Sequence, residues 1–99
     1  MNKTSIATKN DNFRKTFLGG KVFLTPGVIE SKSKEKVINA VRTFDTFTQD
    51  NDPYFEHDFG KVNIDGEDYF FKIDYYDSNY ECFQEDGNRV LTIMRADEY

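Results

Sequence analysis

Apolar and polar residues alternate most regularly over residues 61–76, KVNIDGEDYFFKIDYY. The alternation is interrupted only at Asp65-Gly66, a pair suited to the left-handed backbone of a two-residue hairpin turn. Counting outward from that turn sets a register: Ile64 opposite Glu67, Val62 opposite Tyr69, Gly60 opposite Phe71. One face of the hairpin then carries Val62, Ile64, Tyr69, Phe71, Ile73 and Tyr75, and is expected to enter the core. The other carries Lys61, Asn63, Asp68, Phe70, Lys72, Asp74 and Tyr76. It either meets water or takes a helix across it.

Elsewhere the period changes. Ile6, Phe13 and Phe17 fall near one helical face, and Gly19-Gly20 predicts a left-handed cap. Residues 21–25 read as a short strand and Pro26-Gly27 as a turn. Over residues 31–44, Val37, Val41 and Phe44 recur at helical spacing with Ile38 beside them, and Ser31 or Ser33 stands where a cap belongs. Lys32, Lys34 and Lys36 crowd the start of that helix, where the helix dipole disfavours positive charge. Residues 77–88 read as a mobile loop and residues 89–94 as a last strand, followed by a polar tail. The expected fold is α+β: one domain over residues 1–99, two helices packed on an antiparallel sheet of about four strands.

Composition narrows the function. Ten Phe and six Tyr supply much of the core from few residues. Residues 1–44 hold nine Lys/Arg against three Asp/Glu, whereas residues 45–99 hold four against fifteen. So acidic a second half argues against general nucleic-acid binding and suits a basic partner or simple solubility. The start of the chain has no apolar leader core and no run long enough to span a membrane, and Cys82 is the lone cysteine. These features predict a reducing, cytoplasmic setting.

Candidate chemistry centres on residues 50–59, DNDPYFEHDF, where the chain's single histidine stands among Asp50, Asp52, Glu56 and Asp58. Read as a calcium loop from Asp50, the fifth, sixth and twelfth positions are Tyr54, Phe55 and Lys61, so the ligand pattern fails after two positions. Zinc ligand spacing is absent, and nothing calls for a cofactor. His57 is a weak candidate general base, alone or paired with Cys82. The stronger expectation is a loop rigidified by Asp and Asn side chains bonded to nearby backbone, with His57 bridging it to the sheet. On the outer hairpin face, Phe70, Lys72, Asp74 and Tyr76 form an aromatic and charged set able to stack on a base or small ligand.

Four stretches, GGKVFLTPGV, VRTFDTFTQDNDPYFEHDFG, FFKIDYYD and RVLTIMRADEY, together resemble the bacterial family catalogued as domain of unknown function 3768, over about residues 12–99. The family's motif falls here on Arg42, Asp45, Asp50, Asn51, Asp52, Pro53, Glu56, His57, Asp58, Lys72, Asp74, Tyr75 and Tyr76. The chain differs from the family pattern in having Phe71 where a Trp is familiar and in its Lys-rich helix start. The resemblance implies a protein of mobile-element (phage or plasmid) type and brings no established activity. The leading expectation is a non-enzymatic counter-defence inhibitor. Its acidic half, including Asp50, Asp52, Glu56, Asp58, Asp68 and Asp74, would bind a basic host defence component. A second is sequestration of a small nucleotide by Arg42, Lys72, Tyr75 and Tyr76, with a homodimer placing the pocket between subunits. A third is a small enzyme using His57.

Overall fold

The hairpin forms in the predicted register. In the computed structural model, which describes residues 3–99 with side chains from Ser5 onward, Ile64 faces Glu67, Val62 faces Tyr69 and Gly60 faces Phe71. Asp65 and Gly66 both take positive φ, 54° and 85°, as a primed two-residue turn requires. A side chain on Gly60 would run into the rings of Phe71 and Phe44, so this strand position must stay bare.

The elements follow in the order α1 (Lys3–Thr16), β1 (Gly20–Leu24), α2 (Pro26–Ile29), α3 (Lys34–Arg42), β2 (Phe59–Ile64), β3 (Glu67–Tyr76) and β4 (Asn88–Arg95), with a closing 3-10 turn at Ala96–Glu98. The four strands make one sheet in the order β1-β4-β3-β2. It is mixed rather than antiparallel, because β1 pairs with β4 in parallel while β4, β3 and β2 alternate. The helical crossover is the reason. Helices α2 and α3 carry the chain from one sheet edge to the other, so β2 sets out in the direction of β1. Two hairpin reversals then bring β4 back in that same direction, alongside β1.

Three helices stand where two were expected. Pro26-Gly27 opens one turn of helix instead of a β-turn, with Pro26 at a position that needs no N–H donor. Helix α3 is shorter than residues 31–44, and neither serine caps it with its side chain. Ser31 Oγ accepts the Ser33 N–H at 3.0 Å and meets the Tyr69 hydroxyl, while the Ser33 hydroxyl donates to Asp65 of the hairpin turn. Lys36 Nζ also reaches Asp65, at 3.4 Å. The β2–β3 turn thus adds a carboxylate to the lysine-rich helix start, whose own first turn holds Glu35. The Ser33 hydrogen bond, then the Lys36 charge, hold Asp65 below the usual carboxylate range. At the end of α1 the left-handed residue is Phe17 (φ 61°), whose N–H donates to Phe13 O at 2.7 Å; Gly19 follows at φ 101°, and Gly20 already belongs to β1.

Helices α1, α2 and α3 cover one face of the sheet, where Ile6, Phe13, Val28, Val37 and Val41 pack against Tyr69, Phe71, Ile73, Leu91 and Ile93. No helix crosses the opposite face among the described residues. Phe70 there meets only Phe59 and the terminal Tyr99, at ring separations of 5.3 Å each. Glu98 pins that tail by accepting from Thr25 Oγ1 (2.6 Å), Arg95 N (2.8 Å) and Gly27 N (2.9 Å).

Because a β-branched side chain is strained at the φ of Gly66, Gly66→Val will lower stability by about 1 kcal/mol or more in urea titration. An unchanged unfolding midpoint would contradict the primed turn.

Candidate functional site

The loop that enters β2 is held from within by Asp52, which is only 3% exposed. Its Oδ1 accepts the N–H groups of Glu56 (3.1 Å) and His57 (3.2 Å), and its own N–H donates to Thr48 O at 2.8 Å. Phe55 and His57 sit at φ 56°, a tight reversal that this carboxylate stabilises. The His57 ring is enclosed on several sides. Nδ1 donates to the Asp11 carboxylate of α1 at 3.0 Å, Nε2 lies 3.6 Å from Asp52 Oδ2, and Phe47 stacks flat on the ring at 4.0 Å. Both nitrogens face carboxylates that the fold already uses, so the ring braces the loop against α1. Asp50 is exposed and shares no ligand with it. Among the described residues no three His, Cys, Asp or Glu side chains stand close enough to hold one metal ion.

Just beyond this loop, β3 outruns β2. The ladder to β2 begins at Phe59 opposite Lys72, so residues 73–76 find other neighbours. Ile73 N–H donates to Asp58 O at 2.8 Å, Gln84 N–H donates to Tyr75 O at 3.2 Å, and Tyr76 bridges to Phe83. Between the incoming segment and the 83–85 segment lies a cleft of about 420 Å³, lined by Glu56, Asp58, Asp74 and Glu85 together with Tyr76 and Phe83. Phe83 is 73% exposed at its mouth.

The cleft is electrostatically unbalanced. Burial, then the charge of Glu56 and the weaker fields of Asp52 and Asp74, push the Asp58 carboxyl up to about 6 against a backbone hydrogen bond that opposes the rise. Among the ion pairs of the described residues, the one that reaches these four carboxylates is Lys72 with Asp74 at 3.2 Å, and that pair is substantially exposed. The Tyr75 hydroxyl closes the floor, accepting from Asn10 Nδ2 at 2.8 Å and donating to Glu56 at 3.3 Å. Burial raises its pKa.

The expected site residues are divided by the structure. Glu56, Asp58, Asp74, Tyr75 and Tyr76 come together at the cleft. Asp52 is buried in the loop's own hydrogen bonds, and Asp68 pairs with Asn63 at 2.9 Å on the outer face. Arg42 lies elsewhere: its Nε donates to Lys15 O at 2.9 Å and its guanidinium sits 5.3 Å from the Phe17 ring, closing the end of α1. A single pocket of Arg42, Lys72, Tyr75 and Tyr76 is therefore not assembled, since alternation along β3 turns Tyr75 inward and its two partners outward. Phe83 and Glu85 are the additions, from a loop that is tied rather than free. Asp77 Oδ1 accepts the N–H groups of Asn79 and Glu81, and Asp86 pairs with Arg89 at 2.5 Å and Lys9 at 2.9 Å. The Asp77-x-Asn spacing hinted at an Asx turn. The return of the chain beside Tyr76 had no local signal.

These observations define a small α+β domain with a four-stranded mixed sheet covered by helices on one face, and an acidic cleft at the free end of its longest strand. The chain belongs to the family described as protein of unknown function (DUF3768), whose model matches residues 24–98. That match begins later than the resemblance over residues 12–99 and leaves α1 outside it. Searches of curated proteins and of solved structures found no match. No helix among the described residues is long and apolar enough to cross a membrane.

Two outcomes follow. Removing the strut in His57→Ala breaks a hydrogen bond to Asp11 and the stack on Phe47, and will lower stability by about 2 kcal/mol in denaturant titration. A variant as stable as the parent would show that the ring holds nothing. Asp58 binds its proton more tightly folded than unfolded, so stability falls as pH rises from about 4 to about 6 and the penalty is complete above that window. Asp58→Asn removes the charge and will stabilise the protein by about 1 kcal/mol at pH 7.5, after allowance for solvent screening, and by almost nothing below pH ~4. Thermal melts at both pH values test this; equal effects at the two would rule out Asp58 ionisation as the cause.

Proposed function

We propose that this protein is a non-enzymatic binding protein whose acidic, aromatic-lined cleft receives a basic side chain from a protein partner. One observation carries the reading. Glu56, Asp58 and Glu85 converge on a cleft beside Tyr76 and Phe83, with Lys72 on Asp74 the ion pair that the lining carboxylates make among the described residues. Carboxylates neutralise a guanidinium or ammonium, and aromatic faces attract the same cations. Burial first, and then the negative charge of Glu56, raises the Asp58 carboxyl, and an incoming cation would relieve the part owed to charge. Within this reading, the partner we favour is the basic, nucleic-acid-handling face of a host defence complex. Against such a face a row of carboxylates imitates phosphates.

The test is fluorescence anisotropy with a labelled arginine-rich peptide. Binding should weaken at least ~tenfold in Asp74→Lys/Glu85→Lys and fall steeply with salt. It should strengthen as pH rises through about 6 while Asp58 ionises. Asp45→Lys/Asp50→Lys, equal in charge change but outside the cleft, should retain most of the affinity. If the two double variants lose binding equally, net charge alone is responsible and the cleft is not the site.

A further inference from the structure

The uncovered face of the sheet holds a second hollow, of about 320 Å³, between the β1 edge and the 77–88 loop. Its walls are the rings of Phe23, Tyr76 and Tyr80, its floor is the Val90 side chain, and its polar groups are Lys21 and the Thr92 hydroxyl. The strand register builds it: Lys21 stands opposite Val90, and Phe23 opposite Thr92. Phe23 is 54% exposed, an aromatic ring that the fold itself does not bury. Lys21 has no carboxylate at ion-pair distance among the described residues; its ammonium rests 3.8 Å from the Tyr80 ring centre. The hollow therefore combines three aromatic rings with a hydroxyl and one cation that has no carboxylate at ion-pair distance among the described residues. We propose that it binds a free nucleotide, the base stacked on the exposed Phe23 ring and the phosphate held by Lys21, which the Tyr80 ring positions. The charge pattern selects a free nucleotide over a strand. Asp74 shares the cross-strand row of Lys21 and Val90, Asp68 lies further along the same face, and the acidic cleft adjoins Tyr76. A polyanion extended across the sheet would meet these carboxylates, whereas one phosphate beside Lys21 does not.

Titration of the intact protein with adenosine 5′-monophosphate, followed by backbone amide NMR shifts, tests the assignment. The expected result is saturable binding at or below ~1 mM, with shifts centred on Phe23, Tyr80 and Thr92. Tyr80→Leu and Lys21→Met, each confirmed folded by its amide spectrum, should weaken it at least ~tenfold, and adenosine without phosphate should bind as weakly as Lys21→Met binds the nucleotide. Glu85→Lys, a cleft variant, should bind the nucleotide as the parent does, which separates this site from the acidic one. The assignment is overturned by absence of binding at ~10 mM nucleotide, by parental affinity in both hollow variants, or by an eight-residue oligothymidylate that binds far more tightly than the mononucleotide.

Discussion

A series of contacting polar side chains, Arg14–Asp11–His57–Asp52, is the constraint on which the candidate site depends. Arg14 is 1% exposed, pairs with Asp11 at 3.0 Å and donates to Phe44 O at 2.9 Å, while Phe47 and Phe71 lie under its guanidinium at 5.1 and 5.6 Å. Asp11 in turn fixes His57, and Asp52 accepts the backbone N–H groups of Glu56 and His57. A buried cation of this kind is tolerated only because it is paired and its carbon stem is packed, and losing one member strands the others. The result is a rigid loop that delivers Glu56 and Asp58 to the end of β3 at a defined angle. Asn10 adds a second tie from α1, donating to Glu56 O at 2.8 Å and to the Tyr75 hydroxyl, and accepting from Arg89 at 2.6 Å.

Rigidity matters to the cleft because its charges oppose one another. Like carboxylates in a flexible loop would move apart into solvent. Here backbone hydrogen bonds and the His57 strut hold them in place, and burial together with the charge of Glu56 gives Asp58 a higher proton affinity. The fold accepts an electrostatic cost at one end of the sheet while its hydrophobic core lies beneath the helices. Sites built for a charged partner have this character, since the missing counter-charge arrives with the ligand.

The two faces of the sheet divide the labour. The helical face is closed by Phe71, Leu91 and Ile93 and supplies stability. The open face keeps Phe23, Phe70, Tyr76 and Tyr99 at the surface, with Tyr99 packed on Phe59 and Phe70 at 6.0 and 5.3 Å. Exposed aromatic rings on a sheet that has no second covering layer are costly to keep unless something docks on them.

Local sequence determined the hairpin completely. Alternation, the Asp65-Gly66 turn and the bare Gly60 specify the strand register, because each acts between residues close in the chain. The existence of α1 and α3 was likewise legible from their apolar period, though α3 spans Lys34–Arg42 rather than residues 31–44, and the self-bonded character of the DNDP loop was legible from its Asp and Asn content. Tertiary structure decided the rest. The parallel pairing of β1 with β4 depends on a crossover whose path is set by helix packing, and the contacts of Ser33 and Lys36 at the lysine-rich helix start depend on Asp65, some thirty residues away. The acidic half was visible as composition. Which of its carboxylates converge was not, because Asp52 turns into the loop while Glu85 returns beside Tyr76 through contacts that no local pattern encodes.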